Sequence, residues 1–156
     1  MVTSDVIAVL ALCASAGSAL YARWAGKAAQ RANEIAIHNE RLRIYKGLLE
    51  FRSILTTRGP SFPDDEMWKF ADLVLLSEFY FSKAAHEAMQ KLLDDGNQTK
   101  ARYELWQSMK DSCGDIATAT RAMNDLHCAT RDRCGAVADM LKPDLLLHAN
   151  KPSWIV

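Results

Sequence analysis

The chain has 156 residues, 49% of them hydrophobic, with 19 Lys plus Arg against 19 Asp plus Glu. That length fits one domain with a short appendage, and the balanced charge lacks the basic excess of a nucleic-acid binder. Few Gly (7) and Pro (4) residues argue against disorder and against a turn-rich β fold.

No segment alternates apolar and polar residues between turn signals, so the predicted class is all-α. The expected architecture is a single N-terminal transmembrane helix followed by a bundle of about three long antiparallel helices. Residues 1–26 form the anchor, 27–142 the bundle and 143–156 a C-terminal tail.

Val6 to Ala22 carries no charge. As a helix it covers ~25 Å, slightly less than a ~30 Å hydrocarbon core. Tyr21 and Trp24 suit the headgroup level, and Arg23, Lys27 and Arg31 the aqueous side of it. A secretory signal needs a basic start, and Met-Val-Thr-Ser-Asp has none. Asp5 stands before the run, whereas Arg23, Lys27, Arg31, Arg41, Arg43 and Lys46 follow it. This asymmetry predicts a single pass through the inner (cytoplasmic) membrane, N-terminus outside and bundle in the cytoplasm. Ala14, Ser18, Ala22 and Gly26 repeat every four positions, a spacing that lets two helices approach closely in lipid. They are the expected self-association stripe of the anchor. A second such series (Ala11, Ser15, Ala19) lies on another face.

Nothing breaks a helix from Lys27 to Thr57 except the weak point Gly47. The anchor is therefore expected to continue into the first bundle helix, which stops and restarts at Arg58-Gly59-Pro60-Ser61-Phe62-Pro63-Asp64-Asp65. A second helix is predicted from Asp64 to Leu93, apolar on most of its circumference like the central helix of a bundle, with a loop at Asp94-Asp95-Gly96-Asn97. The third segment, Thr99 to Leu141, carries apolar residues at steps of three and four, with Gly114 and Gly135 as candidate breaks and Pro143 as its end. The tail holds Leu145, Leu146 and Leu147 and ends in Trp154, Ile155 and Val156. It is expected to pack back onto the bundle, touch the membrane or dock on a partner, packing back being the plainest of the three.

Arg41-x-x-Ile44-Tyr45-x-x-Leu48-x-x-Phe51, with the aromatic run from Leu73 to Phe81, resembles a broad family of uncharacterised bacterial proteins. In that family an N-terminal span leads into a helical cytosolic domain. The resemblance covers roughly Trp24 to Met123 and implies the same organisation; it implies no activity and no catalytic residues.

Motifs for chemistry are missing. No Glu-x-x-His, His-Glu-x-x-His, Gly-x-Ser-x-Gly or Gly-rich phosphate loop occurs. Cys13, Cys113, Cys128 and Cys134 form no Cys-x-x-Cys pair, which predicts free thiols, and His127, Cys128 and Cys134 lack a fourth zinc ligand. No enzyme, cofactor or metal site is expected. Arg41 is expected on the surface of the bundle, with Asp72 and Glu78 as candidate ion-pair partners. The predicted partners are the lipid bilayer and another protein or a second copy, with no nucleic acid. The leading functional expectation is a membrane-anchored interaction or scaffold protein. The alternatives are a small membrane-acting effector and a ligand-sensing bundle with Trp68 and Trp106 lining its pocket.

Overall fold

The computed structural model describes residues 2–110 and 116–146. Its described residues are helical with no strand, in four helices: α1 (Val2–Arg58), α2 (Asp64–Tyr80), α3 (Lys83–Lys110) and α4 (Ile116–Leu146). The chain divides into two compact units, Met1–Ile37 and His38–Val156.

In the first unit α1 stands alone. Its large apolar residues from Val6 to Trp24 are 53–75% exposed. Ser15 Oγ donates to the Ala11 carbonyl and Ser18 Oγ to the Ala14 carbonyl, each at 2.8 Å. Both hydroxyl protons are thus satisfied within the helix, as an apolar solvent requires.

The second unit is an antiparallel arrangement of residues 38–58 of α1 with α2, α3 and α4. From α1 it takes Ile44, Leu48, Phe51 and Leu55, spaced four, three and four and all essentially inaccessible. Gly59 ends α1 in the left-handed conformation (φ 63°), donating its N–H to the Leu55 carbonyl at 3.1 Å. The chain then reverses through Pro60 to Pro63, burying Phe62. Three acids, Asp64, Asp65 and Glu66, open α2, where the helix dipole favours them. Phe51 stacks on Phe70 (4.2 Å between centroids, 5° between planes) and meets Phe62 edge-on at 6.0 Å. These rings fill the centre of the unit.

Three sequence expectations fail here, each for a local reason. First, the predicted second helix is two. It breaks after Tyr80, where Phe81 is extended and donates its N–H to the Ser77 carbonyl. Ser82 then starts α3, its hydroxyl accepting from the Ala85 N–H at 3.3 Å. A single N-capping serine inside an apolar run decides the turn.

Second, Asp94 to Asn97 is helix, not loop. Asp95 forms an ion pair with Arg133 of α4. Gly96 is buried because α3 passes close to its neighbours: a β-carbon there would lie 2.6 Å from Met67 Cε and 3.3 Å from Phe51 Cζ. Gly47 plays the same part where α1 crosses Leu73 of α2. Both glycines mark close packing rather than chain breaks.

Third, the long stripe from Thr99 to Leu141 is shared by two antiparallel helices, α3 and α4, rather than lying along one. Thr99 faces Thr130 (3.1 Å), and Trp106 Nε1 donates to Thr120 Oγ1 at 2.8 Å. The bundle therefore has four helical arms, not about three. Gly135 lies within α4 against Arg52. Pro143 also lies inside α4, which runs on to Leu146 instead of ending there. Gly114 and the tail from Leu147 onward, with Trp154, Ile155 and Val156, fall outside the described residues.

Candidate functional site

α1 is long and apolar enough to cross a membrane, and none of its apolar window is buried within the protein. All residues assigned to the interface, Tyr21, Arg23, Trp24, Lys27 and Arg31, are exposed. The three cations repeat every four residues and so share one face. Among the described residues none of them has an ion-pair partner. Ala14, Ser18, Ala22 and Gly26 form an exposed small-residue stripe, and a β-carbon added at Gly26 meets nothing within 4 Å.

Arg41 does not pair with Asp72 or Glu78. Its Nε donates to the Tyr80 carbonyl (2.8 Å) and its Nη1 to the Asp144 carbonyl (3.1 Å). Both carbonyls lie in the last turns of helices, where main-chain oxygens lack helical partners and the dipole is negative. One guanidinium therefore closes α2 and α4 together, with the Phe81 ring 5.9 Å from its centre. In the Arg41–Phe51 segment Arg41 is this clamp, Ile44, Leu48 and Phe51 are core, and Tyr45 packs beside them.

Two surface clefts flank α2. A groove of about 440 Å³ between α1 and α2 is lined by Asn39, Arg43, Lys46, Glu50 and Leu73, among others. Arg43 is engaged by Glu40 at 3.1 Å. Mixed charge gives this groove no preference for an anion or a cation. A second cleft of about 200 Å³ lies between α2 and α3, lined by Met67, Trp68, Ala71, Leu93, Asn97 and the Lys100–Asp64 ion pair.

The outer face of α2 is the feature that sequence reasoning missed. Trp68, Leu75 and Phe79 are 73%, 63% and 79% exposed. With Asp72 they are spaced four, three and four, so they form one stripe. The run Leu73-Val74-Leu75-Leu76 hid this, because it reads as apolar all round. Only Val74 of these four is buried. The signal available in the sequence was Asp72, a charge placed among the large apolar positions.

Among the described residues neither Trp68 nor Trp106 lines an internal pocket. Trp68 is on the surface, and Trp106 stacks against Tyr103 (5.8 Å) beneath Lys110. Ser77 Oγ and His86 Nδ1 are 2.8 Å apart, but Ser77 is wholly buried and its hydroxyl lies 2.6 Å from the Val74 carbonyl. With the serine proton given to that carbonyl, His86 Nδ1 is the donor, and the pair ties α2 to α3 out of reach of a substrate. Burial pushes the Cys134 thiol up to about 12, which suits an inert core residue. His127 is held below its ordinary value by burial and by Arg131.

Comparison of the chain with protein-family models, with curated proteins and with solved structures finds no match.

Proposed function

We propose that this protein is a membrane-tethered interaction module. The first part of α1 is its single-pass anchor, and the antiparallel helices present a helical surface to a partner or to a second copy. The proposed setting is the cytoplasmic membrane, N-terminus outside and bundle in the cytoplasm, on the charge asymmetry across the anchor. The observation that carries this is within α1. Ile44, Leu48, Phe51 and Leu55 are buried by other helices, whereas the apolar residues from Val6 to Trp24 are covered by none of the described residues. In water the second group would forgo about 1.5–3 kcal/mol per large side chain. Lipid removes that cost. Tyr21 and Trp24 serve as the aromatic belt, Arg23, Lys27 and Arg31 contact lipid headgroups, and Ala14, Ser18, Ala22 and Gly26 form the contact between two anchors.

Alkaline extraction of membranes, with protease added from each side, tests the tether. The chain is expected in the pellet, with the bundle cleaved only after the cytoplasmic face is opened. Release into the supernatant, or digestion of the bundle from outside intact cells, would overturn the proposal.

A further inference from the structure

The outer face of α2 carries three observations that converge. Trp68, Leu75 and Phe79 form an exposed apolar stripe. Their open surface is on the order of 400 Å², the size of patches that are often functional on monomers. It is only about half of one partner's ~800 Å² share in a standard protein–protein interface. The size therefore fits a single helix rather than a whole domain. Second, the roughly 200 Å³ cleft bordered by Trp68 and Ala71 opens beside the stripe and is large enough for one apolar side chain. Third, the charge is one-sided. α2 holds five carboxylates and one lysine. Asp64 is taken by Lys100, and Asp65 and Glu66 by Lys69. Asp72 lies within the stripe and Glu78 at its edge, and among the described residues neither has a cationic partner.

We infer that the outer face of α2, Trp68–Asp72–Leu75–Phe79 with Glu78 and the cleft beside Trp68, is the docking surface for a basic amphipathic helix of another protein. Such a helix matches the stripe with its apolar side chains and Asp72 and Glu78 with Lys or Arg. A second copy of α2 would bring carboxylates against carboxylates, and anionic headgroups would repel the same face. The inference rests on the proposed role of the bundle as an interaction module, and it adds the face and the chemistry of the partner.

The test uses the full chain in phosphatidylcholine nanodiscs, with empty nanodiscs as the baseline. Three labelled 18-residue peptides are titrated by fluorescence anisotropy: a Leu/Lys amphipathic helix, its Leu/Glu counterpart, and a scramble of the first that has no apolar face. Saturable binding of the Leu/Lys helix alone is expected. The Asp72→Lys/Glu78→Lys variant, with unchanged circular dichroism, should lose about tenfold in that affinity and gain for the Leu/Glu helix. Equal binding of all three peptides, or a change under twofold in the variant, overturns the inference. In a chain freed of native cysteines, a disulfide between two Leu75→Cys chains would assign the face to a second copy. Shielding of Leu75→Cys from a water-soluble maleimide in peptide-free nanodiscs would assign it to the bilayer. Either result also overturns it. A chain that resists alkaline extraction but fails the charge reversal keeps the tether and loses this assignment. A chain that passes the charge reversal but leaves the membrane keeps the docking face and loses the tether.

Discussion

Two stretches of α1 have opposite surroundings: Ile44–Leu55 carries the charges Lys46, Glu50 and Arg52, and Val6–Trp24 carries only Arg23. Ile44, Leu48, Phe51 and Leu55 fall at steps of three and four and are buried, while Arg43, Lys46, Leu49 and Arg52 stay exposed. From Val6 to Trp24 the apolar residues lie on every face, and all are exposed. The difference lies in the pattern as well as the amount. A helix covered on one side by protein needs one apolar stripe; a helix surrounded by lipid needs apolar residues all round. The glycines repeat the contrast. Side chains added at Gly17 or Gly26 meet nothing within 4 Å, whereas Gly47 and Gly96 are occupied contact points.

This contrast gives a graded set of outcomes, each read by denaturation of the full chain in micelles followed by circular dichroism. Phe51→Ala removes the ring between Phe62 and Phe70 and should cost the bundle about 3–5 kcal/mol. Leu10→Ala should leave bundle unfolding unchanged. Equal effects of the two would erase the distinction between the stretches.

Next in size is Arg41→Ala. It strips two charge-assisted hydrogen bonds from the ends of α2 and α4. Each is worth about 1.5–3 kcal/mol at most, and water entering the exposed half of the site lowers the sum to about 2–3 kcal/mol. Asp72→Asn should be silent in the same assay, since Arg41 bonds to main-chain oxygens and not to that carboxylate.

Gly96→Val should destabilise by about 1–3 kcal/mol, because the new methyls meet Phe51 and Met67. Gly96→Ala should cost much less. The flexible end of Met67 can shift, and alanine recovers about 1 kcal/mol of helix propensity. Gly17→Val should not alter bundle unfolding.

The smallest effect is on pH dependence. His127 has a folded-state value below its ordinary 6.5, set mainly by burial and secondly by Arg131. The unfolded chain therefore takes up the proton first as pH falls. The contribution of His127 to stability is present above about pH 6.5 and is lost as pH drops through the lower folded value. His127→Gln should flatten the fall of Tm between pH 7 and pH 5 relative to the parent chain, and an identical slope would refute this role.

Elements with strong periodicity or strong punctuation were legible in the sequence. Continuation of the apolar run into Lys27–Thr57, the stop at Gly59 and the restart at Asp64 all follow from local residue chemistry. Where tertiary contacts overrule local signals, the sequence misleads. Asp94-Asp95-Gly96-Asn97 has turn composition, yet Asp95 is held by Arg133 and Gly96 by the need for close packing. Ser82 gave only a one-residue cue for a chain reversal. Pro143 falls near a helix end, where a lost main-chain bond costs little, so helix continues past it. The α2 face was concealed because four consecutive apolar residues fit a buried helix as well as a two-sided one. Of the candidate site residues, those on α1 are proposed from charge and spacing, while the clamp role of Arg41 depends on which helix ends meet.

The most direct measurement places nitroxide labels singly at Leu10, Leu12, Leu20 and Ser53 in a cysteine-free chain reconstituted in bilayers. Labels at the three leucines should collide readily with dissolved oxygen and be shielded from a water-soluble nickel chelate, with the opposite order at Ser53. Nickel accessibility at Leu10 and Leu12 equal to that at Ser53 would contradict the account, since the first part of α1 would then lie in water.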